Sequence, residues 1–573
     1  MEKEIIKKIL KGEEYKYFDE KLNNLRLDCK SKCFEYNTSY ENNPQNQKNF
    51  IKSIINTKTD NFYINKKFNC NFGKNIFIGD NFYSSFNLTI IDENLVNFGD
   101  NIYLGPYCTF DTINVPLEKE KRAERLISSK GIKIGNNVYF EGAVKVSFGV
   151  SIWDNVIIKA GSIIDKDIPN NSLVEGNPFK IIKTNIEFNF KDYIQEMINK
   201  ELTDENYLNS KNVCNEFNNE KFENFENINN KISKLFKSYK SLFLTQNVYI
   251  KNGNNSSVGE TFYTNYNCML IDLASFSAGN CVFFAPNCVI NSNIIEYDES
   301  KKEFSIISKP ITIGNNVWIA ANVYLKGGIS IGNNSTIGAG SVVISDIPEN
   351  CLALGNPAKI FRKFEIIHNE RIRDPNDKRS EKELSFAGEL YYTGDEELKN
   401  DRLKSFQTIS LFNNIINPKN ITERNNMIKN HLNIDKMDNF EIDSNFNADY
   451  GYNVTIGKNF KSFFNFELVD ENKINIGDNV TFGPNVALLC ALHPIEDIIS
   501  RNSELEYAKK VNIGNDVWIK GNAVILPGVT IGNNVIIDNG SIVTRNIPDN
   551  SYASGIPCRV INNIWLILIK IHS

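Results

Sequence analysis

The stretch ALLCALHPIED, residues 487–497, carries His493, one of four histidines in a chain of 573 residues. A neutral imidazole can take a proton near pH 7 and give it back, so His493 is the first side chain to consider for proton transfer. A His-Pro pair on its own favours a plainer reading, as a packing or surface residue. The eleven cysteines are scattered and include no CxxC pair, and Cys29 and Cys33 have no histidine or second cysteine pair nearby in sequence. That argues against a zinc site or a disulfide framework, so no metal is expected. Cys268, Cys288 and Cys490 sit in apolar runs and read as small buried packing residues. A reducing, cytoplasmic setting is the default expectation.

The elements that would position His493 follow from the residues around it. In 511–543 an aliphatic side chain returns every six positions, at Ile513, Ile519, Ile525, Ile531, Ile537 and Val543. Gly, Asn or Asp repeatedly follows it. Six is neither the helical period nor strand alternation. It fits one short strand and one tight turn per hexapeptide, the turn residues supplying positive φ. Such an array is a solenoid, in which each rung buries its apolar face only against the next.

The pattern occurs three times, at 132–164, 311–343 and 511–543, and each copy ends alike: DIPNNSLVEGNPFKII, DIPENCLALGNPAKIF and NIPDNSYASGIPCRVI. Ile134, Ile313 and Ile513 are separated by 179 and then 200 residues. We therefore expect three related domains: 1–184, 185–364 and, after a linker at 365–384, 385–573. The joins, roughly 185–245 and 362–384, are polar and helix-like and read as linkers plus the helical start of the next copy. The opening MEKEIIKKIL reads as an amphipathic helix and not a signal peptide. The closing IWLILIKIHS is too short to span a bilayer and is expected to dock on the body. Sixty-four basic and 69 acidic residues, net charge −5, form no basic stripe and suggest no nucleic-acid partner.

The third copy resembles the maltose and galactoside O-acetyltransferases, hexapeptide-repeat acyltransferases with a left-handed parallel β-helix. The matching segments run in order: SFAGELYYTGDEELKNDRLK, NADYGYNVTIGKNF, VDENKINIGDNVTFGPNVALLCALHPIED and NSELEYAKKVNIGNDVWIKG, within 385–561. The first two copies resemble the same family from about 70 to 183 and from about 247 to 363, and LKGEEYKYFDEKL (10–22) keeps a helical start. The resemblance implies an all-β solenoid with helical N-terminal segments. It implies acetyl transfer from acetyl-CoA to a hydroxyl of a maltose-, glucose- or galactoside-like sugar, directly in a ternary complex, with His493 as general base. By the same resemblance Asp449, Asp470, Glu471 and Asn265 would meet the acceptor, and Glu506 would orient His493 or meet the acceptor. Trp518, Gly521, Asn539, Thr544, Arg545 and Arg559 would meet the cofactor, the arginines suiting phosphate. Each of these carboxylates also reads as a solvated turn residue, and Trp518 as a corner packing residue. Family members are trimers with sites in the clefts between prisms. Three copies on one chain could close as an intramolecular pseudo-trimer.

Several positions depart from the family. Phe463 stands where an active-site Asn is usual, although Asn265 of the second copy retains it. Asn539 stands where Ala is frequent, and Thr393 near the place of an acidic acceptor contact. The histidine position aligns with Val115 in the first copy and Ile295 in the second, and neither can accept a proton. In the first copy Phe148 and Trp153 replace the expected Pro and Gly. At most one complete catalytic centre is expected. The alternatives are an N-acetyl or antibiotic acetyltransferase of the same fold, or a non-catalytic β-helical scaffold.

Overall fold

A computed structural model describes residues 2–39, 43–219, 225–298, 300, 303–368, 371, 373–374, 376–432, 434 and 439–572. The parts of the two expected joins at 220–224 and at 369, 370, 372 and 375 lie outside the described residues.

The hexapeptide period becomes a three-faced coil. Ile513 pairs in parallel with Ile531, Ile519 with Ile537 and Ile525 with Val543. Three hexapeptides therefore make one turn, and every sixth aliphatic side chain points inward on one of three faces. Each copy builds three ladders, of five, five and seven strands in the first, five, seven and five in the second, and seven, five and four in the third, all parallel except the antiparallel last strand of each seven-stranded ladder. Each copy also has its own apolar core running the length of its coil. Asparagines turn the corners at positive φ, among them Asn459, Asn479 and Asn534. Their amides stack from coil to coil, Asn459 Nδ2 donating to Asn479 Oδ1 and Asn479 Nδ2 to Asp516 Oδ1, both at 2.8 Å. The Ile-Gly step has a steric cause at Gly477, where a Cβ would lie 2.8 Å from the Gly514 carbonyl.

One excursion breaks the period in each copy. In the third, Ile476 pairs with Ile513, and the chain leaves the coil after Cys490 and returns at Val511. Helical starts precede the coils: Glu20–Thr38 and Pro44–Ile54; Lys191–Thr203, Glu205–Asn219 and Phe225–Ser233; Glu381–Ala387, Glu396–Asn414 and Ile421–His431. Asp19 and Asp395 cap the equivalent long helices of the first and third copies, each accepting from two backbone amides. The opening segment forms the helix Glu2–Leu10. The closing segment forms the helix Ile564–His572, which docks through fully buried Ile564 and leaves Trp565, Leu566 and Ile569 exposed. Among the described residues no helix is long and apolar enough to cross a membrane.

The three excursions each lie on a neighbouring copy. The first copy's loop packs with Phe463, Phe464 and Trp518 of the third. The second copy's Ile295 and Phe304 pack on Tyr63, Tyr83, Tyr103 and Tyr139 of the first. Ala491, on the third copy's loop, packs with Ala320, Ala339 and Trp318 of the second. Two buried arginines pin these loops from equivalent places. Arg122 reaches the Asp516 carbonyl at 3.2 Å, and Arg501 reaches the Asn316 carbonyl at 2.7 Å.

Candidate active site

The excursion of the third copy is a short antiparallel pair, Ala491 opposite Ala508 and Leu492 opposite Tyr507. Continuing that register sets His493 opposite Glu506. The Nε2 of His493 lies 3.4 Å from Oε2 of Glu506. On its other side Glu506 pairs in backbone register with Tyr391, whose hydroxyl donates to Oε1. The imidazole packs edge-on against Trp318 of the second copy, with centroids 4.9 Å apart. The ring is enclosed on most sides and opens through about a third of its surface, 34 % of the side chain remaining accessible.

Electrostatics follow from this enclosure. Burial, helped by the Arg501 charge, lowers the His493 pKa to about 4, so the ring is a free base at neutral pH. Burial raises Glu506 to about 7, against the pull of the Tyr391 hydroxyl and the Arg402 charge. Glu471 and Asp449 are both nearly buried and lie close enough to act on each other, and burial raises both. Burial and the nearby Asp449 charge raise the hydroxyl of Tyr266 of the second copy, which adjoins Asn265 in sequence. Asn265 itself is partly exposed and accepts from the Tyr266 amide at 2.7 Å. Arg402 is held by the Tyr450 hydroxyl and the Thr393 carbonyl, each at 2.6 Å. Glu471 Oε2 has no hydrogen-bond partner. The result is an imidazole beside a row of carboxyls and two arginines, Arg402 and Arg501, at the boundary of two copies.

Several expected site residues stand elsewhere. Asp470 is fully buried and takes the Tyr450 and Gly451 amides at 2.8 Å. Asp92 and Asp272 hold the equivalent amides in the other two copies, which have no histidine. Asp470 therefore holds a coil corner, as its counterparts do in the other copies. Trp518, Gly521 and Asn539 lie at the boundary of the third copy with the first. Trp518 and Asn539 line a small cavity of about 20 Å³ with Val115 and Phe463. A Cβ on Gly521 would collide with the Lys145 ammonium, and Asn539 donates to Ser147 Oγ at 3.2 Å. Thr544, Arg545 and Arg559 are exposed on the last coil and its hairpin. Pattern matching within one copy cannot tell which neighbour faces which loop. The tryptophan against His493 comes from the second copy, as Trp318, and Phe463 instead packs on Tyr17 at 5.7 Å.

Sequence reasoning passed over Trp318, Tyr391, Arg402, Arg501 and Tyr266. A usable signal existed for Trp318, which occupies in VWIA the place of Trp518 in VWIK. The same registers place Val115 opposite Ile127 in the first copy, while Ile295 pairs with Ile306 in the second. The base and its carboxylate are thus replaced together in both copies. In the first copy Arg26 is spent on Glu93, with contacts of 2.8 and 2.7 Å, and Tyr17 covers the guanidinium at 4.0 Å. In the second, the Ile295 carbonyl takes a hydrogen bond from Lys159 of the first copy at 3.1 Å.

Comparison with known proteins agrees with this architecture. The family model described as "Maltose acetyltransferase hexapeptide capping motif" matches residues 8–58 and 386–433. "Bacterial transferase hexapeptide (six repeats)" matches 310–345 and 510–545. The galactoside O-acetyltransferase of Escherichia coli is 40 % identical over 172 residues, 29 % of this chain and 85 % of its own. A putative acetyltransferase of Saccharomyces cerevisiae is 37 % identical over 180 residues, 31 % of this chain and 92 % of its own. The chain belongs to the maltose and galactoside O-acetyltransferase family. Among solved structures, the maltose O-acetyltransferase of Clostridium difficile 630 is 40 % identical, covering 33 % of this chain and 98 % of its own at a TM-score of 0.31. A galactoside acetyltransferase in complex with coenzyme A is 35 % identical, covering 33 % and 92 %, at 0.30. Members of this family are acyltransferases built on the left-handed parallel β-helix, and this chain carries that unit three times in tandem.

Proposed function

We propose that the protein is an acetyl-CoA-dependent O-acetyltransferase for a sugar hydroxyl, with one catalytic centre per chain. The observation that carries this is the His493–Glu506 pair set against Trp318, in the one of three equivalent loops that has a histidine where the others have Val115 and Ile295. The acceptor hydroxyl oxygen attacks the thioester carbonyl carbon while His493 takes its proton. The carbon–sulfur bond breaks, and the imidazolium returns that proton to the departing thiolate. A neutral imidazole is required before attack, and its lowered pKa supplies one. The Glu506 carboxylate at 3.4 Å is placed to stabilise the imidazolium formed on the way.

Asp449, Glu471 and Arg402, with Asn265 from the second copy, form the acceptor side, where several acids suit a polyhydroxylated ligand. Ala320 and Ala339 of the second copy pack with Ala491 and Trp318 as an apolar face beside His493, of a chemistry that suits a pantetheine arm. In this reading the chain is its own three-membered ring. The first copy closes the ring, the second lends one wall of the site, and the third supplies the base.

The test is acetyl transfer from labelled acetyl-CoA to a panel of maltose, glucose, galactosides and amino sugars, with His493→Ala as control. The variant is expected to lose about 10²–10⁴-fold in kcat, the usual worth of a general base. Full activity in the variant would sink the assignment.

A further inference from the structure

Cys29 and Cys33 lie one helical turn apart on one face of the helix Glu20–Thr38, and Cys70 ends the strand Asn69–Cys70 beneath them. The Sγ atoms of Cys29 and Cys70 are 3.4 Å apart, and those of Cys33 and Cys70 3.6 Å. All three ligand atoms fall within 4.8 Å of one another. The residues are 5 %, 2 % and 0 % exposed. The pairing argument made from sequence fails here because Cys70 arrives from another element 37 residues beyond Cys33. We propose that Cys29, Cys33 and Cys70 form a buried three-thiolate site for one thiophilic d10 metal ion, Cu⁺ or Zn²⁺.

Packing alone does not demand sulfur at these places. The equivalent third-copy residues are Ser405, Ile409 and Ala448, counted from the shared caps Asp19 and Asp395 and the equivalent strand Asn447–Ala448. In the second copy Ser210 and Cys214 both reach the Ile250 carbonyl. Three cysteines meet in the first copy alone. A metal–sulfur bond of about 2.3 Å sets sulfur–sulfur distances of about 3.8–4.0 Å in tetrahedral or trigonal geometry. The observed spacings reach that by shifts of a few tenths of an ångström.

A cation bound at the centre would turn three thiols into three thiolates. Soft sulfur donors select Cu⁺ and Zn²⁺ over harder ions. No fourth His, Cys, Asp or Glu joins the group among the described residues, which favours three-coordinate Cu⁺.

The test titrates the reduced, metal-stripped full chain under argon with Cd²⁺, Zn²⁺ and Cu⁺. The expected result is a thiolate-to-cadmium charge-transfer band that saturates at one equivalent. That band should be absent from the triple variant Cys29→Ser, Cys33→Ile, Cys70→Ala, which installs the third copy's residues. Competition with chromophoric chelators should rank Cu⁺ above Zn²⁺. The reverse rank keeps the site and assigns it to zinc. Should the triple variant misfold, Cys33→Ile and Cys70→Ala singly must each abolish the band. Equal bands in wild type and variants would overturn the proposal. So would a Cys29–Cys70 disulfide found by mass spectrometry in protein purified without reductant.

Discussion

The His493 ring of the third copy meets the Trp318 ring of the second edge to face, with centroids 4.9 Å apart and planes at 65°. An edge-to-face pair of this kind is worth about 0.5–1.5 kcal/mol beyond its buried area. It also fixes which neighbour builds the other wall of the site.

The two equivalent tryptophans should therefore behave differently. Trp318→Ala is expected to lower kcat/KM about two- to tenfold, through a loosened base. Trp518→Ala opens the filled boundary with the first copy and should reduce the denaturation midpoint with little change in kcat/KM. Steady-state kinetics and urea titration on both variants check this. Equal kinetic losses would place the site elsewhere.

Glu506 should govern the pH profile. Its carboxyl is raised to about 7, so below that pH it becomes protonated and no longer offers a negative charge to the imidazolium. His493, lowered to about 4, stays a free base throughout. The rate kcat/KM is expected to fall as pH drops through about 7. Glu506→Gln should be slower at high pH and should lack that limb. A variant profile with the same limb would assign the titration to another group.

Putting a base back into an empty loop should not create a second centre. Val115→His, in a His493→Ala background, would face Ile127 where the active loop has Glu506, and Phe463 and Tyr17 already fill the cleft. Labelled acetyl transfer should remain undetectable. Its recovery would mean that the missing histidine alone silences the first copy.

Arg26 should now serve stability. It is 2 % exposed, holds the fully buried Glu93 through two hydrogen bonds and lies under Tyr17. Arg26→Met leaves that carboxylate without its cation and should cost about 3–5 kcal/mol. Adding Glu93→Met should restore much of the loss, because two apolar groups can replace a buried pair. Denaturant unfolding of the single and double variants measures both.

The repeat was legible because its cause is local. A strand and a turn per six residues depend on each side chain's own preference and on its partner one turn away, so Ile513, Ile519 and Ile525 announce three faces before any coordinates. The lone histidine was legible for the same reason, since each excursion can be compared with its own kind. Glu506 was readable as a neighbour of His493, and the hairpin register gives it that place.

Sequence could not say which copy completes the site. Trp318 and His493 come together only where the third copy's excursion packs on the second copy, held there by the Arg501 strap onto Asn316. It therefore assigned Trp518, Gly521 and Asn539 to a cleft that tertiary packing fills with Lys145, Ser147 and Phe463. Nor could it show that Asp470 holds the Tyr450 and Gly451 amides, because a carboxylate that holds backbone amides and one that faces a sugar have the same letter. The cysteines show the same limit. Cys29 and Cys33 are placed by one helix, but Cys70 reaches them only when that helix lies across the first coil.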